Sequence, residues 1–80
     1  MTQKLSLMAN VSADYLSGAE LAGLTMIARG MRTTVAASEL GMDEDAFDAM
    51  LRGSQAKLGA VNRVNAVAIA MRLGLIGIEA

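Results

Sequence analysis

The chain has 80 residues, a net charge of −1 at neutral pH, and neither cysteine nor histidine. This length forms a single domain with a small core, and a hydrophobic content of 54% is too high for a disordered chain. Because thiolate and imidazole groups are missing, and no Gly-rich phosphate loop or paired catalytic carboxylates are present, we predict no metal, no cofactor, no small-molecule ligand and no enzymatic activity.

Glycines divide the chain after residue 15 into segments that have the pattern of helices. Ser17 and Glu20 have the spacing of a capping box, which predicts that the first helix begins at Ser17. Gly30 is suited to the left-handed position that ends it. We assign residues 1–15 to a short N-terminal arm and residues 16–80 to one helical domain.

The second predicted helix is short and the third is long. The second is predicted to begin at Thr33 or Thr34, either of which could cap it, and to end at Gly41. The third begins at Asp43 and ends at Gly59. Its predicted apolar face, interrupted by one serine, consists of Phe47, Leu51, Ser54 and Leu58. Core packing is favoured for Leu51, and the alternative is an exposed apolar patch of Phe47, Met50 and Leu51.

The fourth helix is predicted to run from an Asn62 cap to Leu73, before Gly74. Its apolar residues form two stripes: Val64, Val67, Ala68, Met71 and Leu75 on one side, and Ile69, Leu73 and Ile76 on the other. A helix that is apolar nearly all round must be buried on both sides. We therefore expect the first stripe to face another subunit. Alternatively, the arm and an apolar tail that packs back cover the second stripe. Met26 and Met71 are also predicted to be core residues.

The helical segments carry a set of residues in a characteristic order and spacing. These are Leu16-Ser17, Glu20, Leu24, Ile27-Ala28, Gly30, Ala37, Leu40-Gly41, Lys57-Leu58-Gly59, Asn62-Arg63, Ala66-Val67-Ala68 and Arg72-Leu73-Gly74-Leu75-Ile76. The pattern resembles the LuxR/GerE-type helix-turn-helix domain of bacterial transcription regulators, in its free-standing form. The resemblance implies an all-α, four-helix domain whose third helix enters the DNA major groove and whose fourth helix makes a dimer.

The third helix departs from this family in its charge. By resemblance, the positions that face nucleic acid are Thr33, Thr34, Asp45, Ala46, Asp48, Ala49, Arg52 and Lys57. The segment from Asp43 to Lys57 nevertheless contains four acidic residues and only two basic ones, whereas DNA affinity depends on neutralising phosphates. Acids in a first helical turn also have a structural explanation, since they stabilise the helix dipole, but that explanation does not cover Asp48.

These features leave two functional hypotheses. The first is a regulator that acts through protein contact, as a homodimer or as a mixed dimer with a LuxR-type regulator, with weak or absent direct DNA binding. The alternative is a conventional DNA-binding regulator that reads a near-palindromic site as a homodimer. No segment reaches the about 20 apolar residues that span a bilayer, so a soluble, cytoplasmic protein without membrane contact is expected in either case.

Overall fold

The computed structural model describes residues 16–77, which form four α-helices and no strand. The helices are α1 (Gly18–Ala28), α2 (Thr33–Glu39), α3 (Glu44–Leu58) and α4 (Arg63–Arg72). α1 and α3 each pack against all three other helices, whereas α2 and α4 do not contact each other. The prediction of an all-α fold with four helices is therefore confirmed for residues 16–77. The predicted N-terminal arm, residues 1–15, lies outside the described residues.

The start of α1 is fixed by reciprocal hydrogen bonds between Ser17 and Glu20. The Glu20 backbone N–H donates to Ser17 Oγ (3.1 Å), and the Ser17 backbone N–H donates to Glu20 Oε1 (2.7 Å). Both bonds satisfy amide groups that a helix N-terminus otherwise leaves without a partner. The predicted capping box is confirmed.

The start of α2 differs from the prediction. Its N-cap is Arg32, with φ −67° and ψ 149°, and no side chain caps the helix. A capping threonine needs an extended backbone at the N-cap position, but Thr33 is already the first helical residue. Neither Thr33 nor Thr34 is therefore the cap.

The boundaries of α3 and α4 agree with the sequence. Asp43 Oδ1 accepts a hydrogen bond from the Ala46 N–H (2.8 Å), and Asn62 Oδ1 accepts one from the Asn65 N–H (2.7 Å). Gly59 follows α3 with φ 67°, a left-handed conformation that a residue with a β-carbon adopts only with strain. Three boundaries of α3 and α4 thus lie at the residues predicted from the sequence.

The core is built from the inward faces of all four helices. Its buried hydrophobic residues are Leu16, Leu24, Ala36, Ala37, Phe47, Leu51, Ala66 and Ala70. The predicted apolar face of α3 is confirmed, and Ser54 lies fully buried within it, donating to the Met50 carbonyl (3.1 Å). Because Phe47 and Leu51 are fully buried, the alternative of an exposed patch at these residues is wrong.

On α1, Gly23 is buried against side chains of α3. A β-carbon at this position would lie 2.8 Å from Met50 Cε, 3.3 Å from Phe47 Cε1 and 3.4 Å from Leu51 Cδ2. These separations are shorter than ordinary van der Waals contact. The absence of a side chain at Gly23 therefore sets the distance between the two central helices.

The chain folds back after α4. The Leu75 N–H donates to the Ala70 carbonyl (2.9 Å), and Leu75 and Ile76 are partly buried against the core. The predicted packing of the apolar tail is confirmed for these two residues, and Ile78 lies outside the described residues. Across the described part of the chain, no helix combines the length and the hydropathy that a bilayer span requires.

Candidate protein-interaction face and nucleic-acid face

α4 turns its small residues inward and its larger apolar residues outward. Ala66 and Ala70 are fully buried, whereas the exposed fraction is 82% for Val61, 77% for Val64 and 38% for Met71. Ala68 is also exposed. We call Val61, Val64, Ala68 and Met71 the outer stripe. Inward alanines let α4 lie close to its neighbours, and this placement leaves the branched side chains without a partner in the described residues.

The structure divides the residues predicted to form an interface. Val64, Ala68 and Met71 lie in the outer stripe, whereas Val67 and Leu75 are partly buried against the core. The prediction that Met71 is a core residue is wrong, because the inner positions of α4 are taken by alanines. Met26, by contrast, packs against the core as predicted.

Val61 was missed by the sequence analysis because it precedes the helix. Its backbone N–H donates to Asn65 Oδ1 (3.0 Å), while the Asn65 N–H donates to Asn62 Oδ1. These reciprocal bonds fix Val61 immediately ahead of α4. Its spacing of three residues before Val64 could have shown that it extends the stripe.

The second predicted stripe of α4 is only partly covered in the described residues. Leu73 is 47% exposed, while Ile69 and Ile76 are half-buried. Residues 16–77 contain five large hydrophobic residues that are exposed. Four of them lie on α4 or next to it: Val61, Val64, Met71 and Leu73. The fifth is Val35 on α2, 46% exposed. α4 is therefore the most apolar surface of the described domain.

The outward face of α3 holds the residues that resemblance assigns to nucleic acid. Asp45, Ala46, Ala49 and Arg52 are all exposed. On α2, Thr34 is exposed and Thr33 is half-buried. The structure thus brings most of the predicted nucleic-acid positions to the surface, and it gives separate partners to Asp48 and Lys57.

Lys57 reaches back to α1, where its Nζ donates to Glu20 Oε1 (2.9 Å) and Oε2 (3.1 Å). Burial of the Glu20 carboxyl by itself raises its pKa. The backbone hydrogen bond from Ser17 and the hydrogen bond and positive charge of Lys57 outweigh that effect, so the pKa of Glu20 is lowered from 4.5. Lys57 therefore joins α3 to α1 through a carboxylate that also caps α1.

Asp48 makes a corresponding connection to α4. Arg63 Nη2 donates to Asp48 Oδ1 (3.0 Å), and both side chains are about one-third exposed. This bridge explains the acid that the helix dipole does not account for. Its carboxylate charge is offset locally by a guanidinium on the neighbouring helix.

The two bridges leave the excess of negative charge on α3 unchanged, because one acid and one base are paired. Asp43, Glu44 and Asp45 are exposed at the N-terminal end of the helix, and Arg52 is exposed near its middle. Arg29 and Arg32 are exposed where α1 leads into α2. The N-terminal end of α3 is therefore acidic at its surface.

No group of three or more acidic, histidine or cysteine side chains in the described part of the chain could hold a metal ion. No protein-family model matches the chain, and searches of curated proteins and of solved structures find no match either.

Proposed function

We propose that this chain is a LuxR/GerE-type helix-turn-helix regulator of bacterial transcription that acts mainly through protein contact. It forms a homodimer, or a mixed dimer with a LuxR-type regulator, through the outer stripe of α4, and it binds DNA directly only weakly. In this proposal the protein acts in the cytoplasm, where its target promoter lies, and carries no catalytic residue.

The observation that carries the proposal is that α4 buries its alanines, Ala66 and Ala70, and exposes its larger apolar residues, Val64 and Met71. Burying a fully exposed valine or methionine contributes about 1.5–3 kcal/mol. Scaled by their exposed fractions, Val61, Val64 and Met71 from two copies would together contribute roughly 6–12 kcal/mol. The cost of association is about 4–15 kcal/mol. Because the two ranges overlap, the stripe supports at most a weak dimer, with a dissociation constant of about 1 µM or weaker.

A second copy of the chain suits this surface because the stripe is complementary to itself. Ala68 is small and lies between the larger side chains of Val64 and Met71. If two α4 helices cross in opposite directions near Ala68, Val64 of each copy meets Met71 of the other, and the alanines let the helices approach closely. That arrangement also separates the two exposed Arg72 side chains, which a parallel crossing would bring together. A LuxR-type regulator would use the same face in a mixed dimer.

Weak DNA binding follows from the acidic end of α3. A carboxylate close to a phosphate is repelled by roughly 1 kcal/mol even in bulk water, and Asp43, Glu44 and Asp45 are all exposed there. Lys57 and Arg63, which could otherwise offset that repulsion, are each bonded to a carboxylate. The alternative, a conventional DNA-binding homodimer, is supported by the exposed Arg52 and by the small exposed side chains of Ala46 and Ala49.

A gel-shift series with duplex DNA from low to moderate salt separates the two functions. We expect almost no retention of the native chain, whereas a conventional regulator gives retention with a steep dependence on salt. Asp45→Lys should gain affinity and add about one unit to the salt slope. Glu39→Lys, which makes the same charge change on α2, should gain less. Tight, salt-dependent binding by the native chain would establish the alternative, and equal gains by both variants would mean that α3 does not face the DNA.

The mixed-dimer form is tested by adding the chain to a LuxR-type regulator bound to its promoter. We expect the chain to release the regulator from DNA or to change the mobility of the complex, and Val64→Glu to lose this effect. A regulator–promoter complex that is unaffected at a large excess of the chain would restrict the proposal to the homodimer.

A further inference from the structure

Among the five methionines in the described residues, Met71 is the most exposed. Met71 is exposed, whereas the others are half-buried and pack against the core: Met26, Met31, Met42 and Met50. The accessible thioether thus lies in the outer stripe. A methionine that packs in the core is protected from oxidants by its neighbours, and one at the surface is not.

We propose that Met71 is an oxidation site that regulates the outer stripe. A two-electron oxidant of the peroxide class transfers one oxygen atom to the Met71 sulfur. The sulfur lone pair attacks a peroxide oxygen, the O–O bond breaks, and hydrogen peroxide leaves as water while the thioether becomes a sulfoxide. This inference rests on the proposed function, because it concerns the face through which the dimer forms.

The consequence of oxidation follows from the apolar composition of the stripe. A sulfoxide oxygen is a strong hydrogen-bond acceptor, whereas the side chains of Val61, Val64 and Ala68 contain no donor. Burying an unpartnered acceptor in a contact is unfavourable. In a symmetric dimer the change occurs on both copies, so the dissociation constant is expected to rise about 10- to 100-fold.

The monomer and the dimer differ in their sensitivity to the oxidant. A helical methionine leans toward the preceding turn, which places Met71 toward Ala68, and both residues are exposed in the free chain. The dimer contact covers Met71. The oxidant therefore reacts with the monomer. As oxidation removes reduced monomer, the dimer dissociates by mass action.

The experiment uses the full chain and dilute hydrogen peroxide. Tryptic cleavage releases residues 64–72 with Met71 as the single methionine of that peptide, so mass spectrometry follows its oxidation separately from the others. Sedimentation equilibrium measures the dimer before and after treatment. We expect the Met71 peptide to be oxidised faster than those of the half-buried methionines, more slowly at high protein concentration, and with the stated loss of dimer. Methionine sulfoxide reductase should restore the dimer.

Met71→Leu is the matched variant, because leucine keeps the apolar volume and cannot be oxidised. It should dimerise before treatment and be unaffected by peroxide, whereas Met26→Leu should stay as sensitive as the native chain. A treated dimer that persists with Met71 fully oxidised would overturn the inference alone. Equal loss of dimer by Met71→Leu would also overturn it. A native chain that is monomeric before treatment would overturn the proposed dimer as well.

Discussion

Glu20 has two structural roles, and only one of them could be predicted from local sequence. Its spacing from Ser17 indicates a capping box, because both residues lie in one helical turn. Its bond to Lys57 joins residues 37 positions apart, a contact that depends on how α1 and α3 pack. The resemblance places Lys57 toward nucleic acid, whereas in the structure its amine is bonded to Glu20. Contacts within a turn are predictable, and those between helices require the fold.

The Glu20 carboxyl should make the stability of the domain depend on pH in the acid range. Its pKa is lowered from 4.5 in the folded chain, so below about that pH the unfolded chain binds more protons than the folded one. The stabilisation from this group is complete above pH 4.5 and is lost as the pH falls through the lower folded pKa. Urea unfolding of the native chain at a series of pH values should show this loss, and Glu20→Gln should show less of it.

Lys57→Met provides the control for that experiment. It removes the positive charge and the hydrogen bond that lower the pKa of Glu20, while keeping an apolar stem of similar length. Its stability should therefore vary less with acid pH than that of the native chain. Parallel pH profiles for the native chain and both variants would contradict the role assigned to the bridge.

At the scale of the helix, the composition of α4 predicted its existence and its limits but not its inner face. Val64, Val67 and Met71 have helical spacing and are more hydrophobic than Ala66 and Ala70. The buried residues of α4 are nevertheless the alanines Ala66 and Ala70. Close packing against α1 and α3 depends on side-chain size as well as on hydrophobicity. Periodicity alone does not contain that information. The predicted cap of α2 was also wrong, because the helix begins after Arg32 without a side-chain cap, a start that cap-forming residue types cannot indicate.

The close approach of α1 and α3 predicts different effects of alanine at two helical glycines. At Gly53 the nearest atom to a new β-carbon is 3.9 Å away, so Gly53→Ala should stabilise by about 0.5–1 kcal/mol through helix propensity. At Gly23 the β-carbon would crowd Met50 and Phe47. Gly23→Ala should be less stable than Gly53→Ala by about 1 kcal/mol or more, measured by urea denaturation.

The two glycine variants serve as controls for each other, because both exchange the same residue types in helix interiors. Equal stabilisation by both would show that Met50 and Phe47 move aside without cost, and that Gly23 does not set the spacing of α1 and α3.

At the scale of the molecule, ion pairs join α3 to two of the three helices against which it packs. Lys57 connects it to α1 and Asp48 connects it to α4. The sequence predicted the excess of acid along this helix, and the excess persists at its surface because the bridges use one charge of each sign. The sequence could not show which charges pair, since both pairs join different helices and depend on how those helices pack. The exposed acids lie at the end of α3 and the apolar stripe lies along α4. This separation is consistent with one surface that disfavours DNA and another that favours a protein partner.

The central claim, that the outer stripe of α4 mediates dimerisation, is tested most directly by sedimentation equilibrium of three chains. Val64→Glu and Val35→Glu make the same exchange at exposed valines, each in the first turn of its helix. The helix dipole stabilises an acidic side chain in that turn. Both variants should therefore fold. We predict a native dimer with a dissociation constant of about 1 µM or weaker, weakening at least about tenfold in Val64→Glu and unchanged in Val35→Glu. A native chain that stays monomeric at millimolar concentration, or equal effects of the two variants, would contradict the claim.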